Sequence, residues 1–195
     1  MFLNTDPSQP ENLKHESFFS VKFVDPQSIV DKLEINLGMT VADFGCGAGF
    51  FSLPIAKKIG EEGRVFALDV LPAKLESVES QAKTLNLTNI IAQRVNLEAP
   101  EGSKLEAESV DWVIMKDILF QNKEKDKILK EAQRVLKKGG QALIIEWNKE
   151  DTNIGPEKGL RIFKETLLEL ARKDGWIMDR EIEVGNFHYG LILKK

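Results

Sequence analysis

The sequence predicts an α/β fold: a doubly wound parallel sheet with helices on both faces and an antiparallel hairpin at its end. Three observations predict it. Residues 41–50, Val-Ala-Asp-Phe-Gly-Cys-Gly-Ala-Gly-Phe, form an apolar run closed by an acid and a G-x-G-x-G loop, and helical periodicity starts straight afterwards. From there strand-like and helix-like segments alternate, which calls for right-handed crossovers between parallel strands. Near the end, two strand-like runs, 176–184 and 187–193, are separated only by Gly185-Asn186. Two residues can join antiparallel strands, whereas parallel ones need a crossover of about a dozen.

The elements follow in order. Residues 1–25 are read as an N-terminal arm, polar with Pro7 and Pro10 and then an apolar knot at Phe18, Phe19, Val21, Phe23 and Val24, and as a candidate lid. The remaining 26–195 form one domain, as the length prior expects. Asp25-Pro26 is a helix start, the acid capping and the proline tolerated at the first helical position. Gly38 ends that element. Strands are expected near 39–44, 64–69, 90–95, 110–115 and 141–147, and helices near 49–59, 72–86 and 123–137. Leu53, Ile55, Ala56 and Ile59, then Ile128, Leu129, Ala132, Val135 and Leu136, have the spacing of helix faces packed on a sheet. Gly155-Pro156 is expected to open a last helix carrying Leu160, Phe163, Leu167 and Leu170 and stopping at Gly175.

Composition narrows the function. The 195 residues carry 27 Lys and Arg against 31 Asp and Glu, a net charge of −4. That balance gives no electrostatic footprint for nucleic acid. The paired lysines Lys57-Lys58 and Lys137-Lys138 are expected as solvated chain ends. Cys46 is the single cysteine, which excludes an intrachain disulfide and a cysteine zinc cluster and fits a reducing cytoplasm. With two histidines only, His15 and His188, no metal site is expected. No apolar run approaches the ~20 residues that span a membrane, so no membrane insertion is expected.

The glycine loop is a nucleotide-binding signature. Glycines at alternate positions let backbone approach a ligand without Cβ interference, and the following helix offers unpaired N–H groups. A dinucleotide fingerprint wants a small residue where Phe50 stands, and this disfavours a dinucleotide-dependent oxidoreductase. An acid about twenty residues on, Asp69 in Ala-Leu-Asp-Val, ends the second strand.

The block from Gly38 to Asp69, then 109–114 (Ser-Val-Asp-Trp-Val-Ile), then 131–140 (Glu-Ala-Gln-Arg-Val-Leu-Lys-Lys-Gly-Gly), resembles the ordered motifs of class I S-adenosylmethionine (AdoMet) dependent methyltransferases. The group is the small-molecule, type-11 kind that includes quinone-biosynthesis C-methyltransferases, and the similarity runs over roughly 26–195. Two departures stand out: Phe120-Gln121 where His-His is common, and Lys-Lys-Gly-Gly where Lys-Pro-Gly-Gly is usual. The resemblance implies a seven-stranded Rossmann-like sheet of order 3-2-1-4-5-7-6 with the last strand antiparallel. It implies methyl transfer from AdoMet to a small-molecule acceptor by in-line displacement, with a non-catalytic AdoMet-binding module as the alternative. Cofactor contacts fall on Asp43, Gly45, Cys46, Gly47 and Gly49 around the methionine end. Asp69 falls on the ribose hydroxyls, Val70, Asn96 and Leu97 on the adenine, and Lys116 and Asp117 near the sulfonium. The last strand begins at the ligand-bearing edge, which brings His188 and Tyr189 to the acceptor side as candidate catalytic residues, and Asn148 and Arg161 stand as candidate acceptor contacts. The lone cysteine argues against an enzyme that presents several thiolates to a soft metalloid.

Overall fold

The computed structural model describes residues 21–149 and 154–195. Helix α1 (Pro26–Lys32) starts as expected, with Asp25 Oδ1 accepting from Ser28 N at 3.4 Å and proline in the first turn. Then follow β1 (Thr40–Phe44), α2 (Ser52–Ile59), β2 (Arg64–Asp69), α3 (Pro72–Thr84), β3 (Ile90–Arg94), β4 (Val110–Lys116), α4 (Lys125–Val135), β5 (Leu136–Trp147), α5 (Lys164–Lys173), β6 (Ile177–Ile182) and β7 (His188–Lys194). The strands form one seven-stranded sheet of order β3-β2-β1-β4-β5-β7-β6. Only β7 runs antiparallel, to both β5 and β6.

Alternation along each strand divides the core between two faces. On one, Val41, Val65, Ile114, Leu143, Ile145 and Ile192 pack with Ile29 and Val30 of α1 and Ile55, Ala56 and Ile59 of α2. Lys58, expected as a solvated end, instead donates its ammonium to Val30 O at 2.6 Å and Leu33 O at 2.8 Å, closing the C-terminus of α1. The opposite face buries Phe44, Leu68, Met115, Ile144 and Leu191 against Ile128, Leu129, Ala132 and Val135 of α4 and Leu167 of α5. Beneath β1 and β2 that face is covered by the segment between β3 and β4, whose Val95, Leu97 and Leu105 are buried. Buried Glu131 of α4 pins it: Oε1 accepts from Ser103 N at 3.0 Å and from the Ser103 hydroxyl, while Arg134 bridges Glu131 to Leu105 O at 2.7 Å. Burial pushes the Glu131 carboxyl up, but the hydrogen bonds from Arg134 and Ser103 outweigh it and hold the group below its ordinary value.

Two expectations need correction. The helix expected to open at Gly155-Pro156 begins only at Lys164. Buried Arg161 explains the delay: it donates to Pro156 O at 2.8 Å, Ile154 O at 2.7 Å and Asn148 O at 3.1 Å, tying off carbonyls that a helix would use itself. Gly155, at φ +93, lies against the Trp147 ring, where a Cβ would come within 2.5 Å of Cε3. The terminal hairpin is antiparallel as expected, but Gly185-Asn186 is not its whole turn. Pairing stops at Ile182 with Gly190, and the end splays to admit the incoming arm. Lys22 N donates to Asn186 Oδ1 at 2.6 Å, Asn186 N returns a bond to Lys22 O at 2.9 Å, and the Phe23 and Phe187 rings lie 5.5 Å apart. A Cβ on Gly185 would stand 2.7 Å from Lys22 O.

Candidate active site at the carboxyl edge of the sheet

Strand order reverses between β1 and β4, and a cavity of about 550 Å³ opens there beyond the strand ends. Its wall is built from four loops. The turn after β1 gives Gly45 and Gly47, the end of β2 gives Asp69, Val70 and Leu71, the end of β3 gives Asn96, Leu97 and Glu98, and the end of β4 gives Lys116, Asp117, Ile118 and Gln121. A smaller hollow of about 140 Å³ shares Gly45, Gly47 and Lys116 and adds Asp43, Cys46 and Phe50. Gly49 lies on neither wall. It sits under α3, where a Cβ would meet Val78 Cγ2 at 3.2 Å, so it is a packing glycine, as Phe50 is free to stand outside at 69% exposure.

The glycine loop needs its glycines for backbone reasons. Gly45 and Gly47 have φ of +71 and +53, the left-handed region that costs other residues about 1 kcal/mol or more. Loop and carboxylate fix one another. Asp69 Oδ2 accepts from Gly47 N at 3.0 Å, Oδ1 accepts from Leu71 N at 2.9 Å, and each oxygen retains lone pairs at the cavity. From α3, Gln81 adds a bond from its amide to Ala48 O at 2.8 Å. Asp43 is buried and accepts from the Ser52 hydroxyl at 2.6 Å. Burial pushes its pKa up to about 6, with the Ser52 hydrogen bonds opposing the rise. Burial also raises the Cys46 thiol, which leaves it protonated and inert.

The acceptor side is built from side chains. Asp117 sits just past β4 at φ +55, a left-handed conformation that aspartate adopts more readily than most side chains, with its N–H on Ile145 O at 2.9 Å. Its carboxylate pairs with Lys116 Nζ through one oxygen, and the other lies 3.1 Å from His188 Nε2. Burial alone would raise the Asp117 carboxyl, but His188 and Lys116 beside it hold it below the ordinary value. The His188 side chain is 7% exposed and packs on Trp147 with ring centroids 4.1 Å apart. It therefore reaches the cavity through Asp117 rather than lining it.

Tyr189, next along β7, faces the opposite side of the sheet. It lines a separate hollow of about 360 Å³ with Asn148, Lys149 and Phe163, and its hydroxyl donates to Ile162 O at 3.1 Å. The two candidate catalytic residues are thus not brought together. Arg161 is occupied in holding the loop before α5, and the Asn148 amide donates to Asn186 O at 3.2 Å in the turn between β6 and β7. Phe18 and Phe19 lie outside the described residues, and Phe23 packs on Phe187 rather than on the cavity. Glu146 was missed. It is fully buried at the end of β5, and Leu119 N donates to its Oε1 at 2.6 Å. Its signal was an acid closing the apolar run 142–145.

The donor set fits AdoMet. The larger cavity offers the Asp69 carboxylate, Asn96 with Leu97, and the exposed Val70 and Leu71, and a Cβ at Gly47 would stand in open space rather than in packed protein. The smaller hollow adds a buried acid suited to an ammonium. Among the described residues no group of His, Cys, Asp and Glu could hold a metal ion, and no helix is long and apolar enough to cross a membrane.

Comparison with known proteins agrees with this reading. A family model described as "Methyltransferase domain" matches residues 35–188. Aklanonic acid methyltransferase of a Streptomyces species is 34% identical over 82 residues, 41% of this chain and 37% of its own. The ubiquinone/menaquinone biosynthesis C-methyltransferase of Haemophilus ducreyi is 29% identical over 133 residues, 67% of this chain and 50% of its own. The chain thus spans half or less of these two relatives. The crystal structure of a SAM dependent methyltransferase from Aquifex aeolicus superposes with a TM-score of 0.80 at 27% identity, covering 88% of this chain and 90% of the other. With the sheet order and the loop geometry, these matches show that the chain belongs to the class I, type-11 family of S-adenosylmethionine-dependent methyltransferases.

Proposed function

We propose that this protein transfers a methyl group from AdoMet to a small, largely apolar acceptor, and the observation that carries the reading is the Gly47–Asp69 lock at the mouth of the cavity. AdoMet, when bound, supplies an electrophilic methyl on a good leaving group. The chain's part is alignment and exclusion of water. Asp69 receives the ribose hydroxyls on oxygens already oriented by two backbone N–H groups. Asn96 and Leu97 meet the adenine from one side and Val70 from the other, and Asp43 receives the ammonium, directly or through water. Lys116, on the wall of both hollows, would stand near the sulfonium, and its pairing with Asp117 would remove a bare positive charge from beside a cationic cofactor.

His188 acts as a positioning residue. It lies 3.1 Å from the Asp117 carboxylate on the cavity wall and, with Lys116, keeps that group ionised, so that Asp117 orients an acceptor by its charge rather than acting as a strong base. The first 25 residues are assigned to the acceptor side as a lid, supported by the anchoring of Lys22 and Phe23 on the hairpin at this same edge. A small acceptor accords with the acidic net charge and with the names of the two relatives, which refer to aklanonic acid and to quinone biosynthesis. A cytoplasmic location accords with a single cysteine in 195 residues, which leaves no intrachain disulfide to form.

Calorimetry against AdoMet, S-adenosylhomocysteine and NAD(H), followed by a coupled homocysteine-release assay across acceptor classes, tests the proposal. Binding of the two sulfur nucleosides and turnover of at least one acceptor are expected. Tight NAD binding without AdoMet affinity would sink it, and AdoMet binding without turnover of any acceptor would point to a binding module.

A further inference from the structure

Glu146 is an anomaly that methyl transfer does not require. Its side chain has no solvent exposure, Oε1 accepts from Leu119 N, and Oε2 has no hydrogen-bond partner. An ionised carboxylate with one bare oxygen in a buried site is expensive, whereas a neutral acid there is tolerable. Burial, reinforced by the negative charge of Asp117, pushes the group up to about 8 despite the Leu119 and Phe120 amides. Its position is equally specific. Glu146 is the next-to-last residue of β5, is the cross-strand neighbour of Tyr189, and accepts the Leu119 amide from the turn of residues 117–121, which places Asp117, Ile118 and Gln121 on the cavity wall.

Resting on the methyltransferase reading of this site, we propose that Glu146 is a positioning residue: it anchors the 117–121 turn through Leu119, and a negative charge on it sets its carboxylate against that of Asp117 on the same turn and weakens cofactor binding. The charged and titratable groups facing it are Asp117 and Lys116 from the end of β4 and Tyr189 from β7, with Glu165 of α5 facing Tyr189 in turn. A second negative charge beside Asp117 competes for Lys116 and repels the carboxylate that Lys116 and His188 now hold. Ionisation strengthens the Leu119 bond but leaves two carboxylates sharing Lys116 beside one turn, so Asp117 is the group displaced.

Two measurements test this. Carbon-13 carboxyl NMR of the glutamate-labelled protein should show one glutamate titrating far above the rest, absent from E146Q, with the Leu119 and Gln121 amide shifts moving at the same pH. Calorimetry with S-adenosylhomocysteine should show wild-type affinity falling about fivefold or more between about pH 6.5 and about pH 9.5 relative to E146Q, which keeps an acceptor for Leu119 but cannot ionise. Comparing the two proteins cancels the titration of the ligand's own amine. E146A should bind about tenfold more weakly at every pH, with E146Q restoring affinity. The proposal is overturned if Glu146 titrates with the other glutamates, if wild type and E146Q have superimposable profiles, or if E146A binds like wild type. A wild type that binds no S-adenosylhomocysteine at any pH would overturn the methyltransferase reading, while the NMR titration would still decide whether Glu146 is neutral and anchors the turn.

Discussion

The two halves of the carboxyl edge are made differently. On the β1–β2–β3 side the site is mostly backbone: two left-handed glycines, a carboxylate locked by Gly47 and Leu71 amides, and a buried acid capped by Ser52. On the β4–β5–β7 side it is mostly side chain, with Asp117 held by Lys116 and approached by His188, and Glu146 under a turn. A backbone-built site is stiff and suited to one invariant ligand. A side-chain-built site can be altered residue by residue without disturbing the strands beneath it. The difference predicts that substitutions on the first side change cofactor affinity and that those at Asp117 and His188 on the second change turnover, with Glu146 set apart because the turn it holds lines the cofactor cavity.

Asp69→Ala should break the first side most. It removes the ribose acceptor and releases the Gly47 and Leu71 amides together, and charge-assisted hydrogen bonds of about 1.5–3 kcal/mol each put the loss of AdoMet affinity at about a hundredfold or more. The thermal midpoint should fall by a few degrees, because the Gly47 and Leu71 amides lose their acceptor, while the variant still folds because Asp69 sits at a strand end outside the apolar core. Calorimetry with the folded variant decides the matter, and undiminished affinity would mean the cavity serves another ligand.

The second side should respond in the opposite manner. His188→Ala leaves Asp117 paired only with Lys116, so kcat is expected to fall about tenfold to a hundredfold while S-adenosylhomocysteine affinity stays within about threefold. Equal losses in affinity and turnover would make His188 a support of the fold and erase the contrast between the halves.

The same contrast explains what could be read from the chain. The strand-loop-helix at 41–50, Asp69 and the hairpin were legible because each is local: glycine spacing, an acid at a fixed interval and a short link act within a few residues. The helix start at 155 failed because Arg161 draws the carbonyls of Ile154 and Pro156 to itself, a competition that periodicity does not register. His188 and Tyr189 were adjacent in sequence but land on opposite faces once β7 is paired, and Glu146 looked like an ordinary end to an apolar strand. Its burial arises only when β4 and β7 flank it.

The smallest expected effect refines the first side and carries two opposite signs. Asp43 has its pKa raised from 3.8 to about 6 by burial. Between those values the folded protein keeps a proton that the unfolded chain has released, so this group's contribution to stability is full below the lower value and is lost as pH rises through the upper one. Cofactor affinity should move the other way, because only the ionised carboxylate attracts the ammonium, and affinity should rise by up to about tenfold as pH climbs from about 5 to about 7. Asp43→Asn should remove both slopes together, with binding at neutral pH fixed near the acid-limb value of wild type. Thermal melts and calorimetry across that range measure the two signs independently. Affinity that is flat with pH while stability slopes would show Asp43 to be a buried capping partner of Ser52, leaving the methionine end of the cofactor to the backbone amides of the glycine loop.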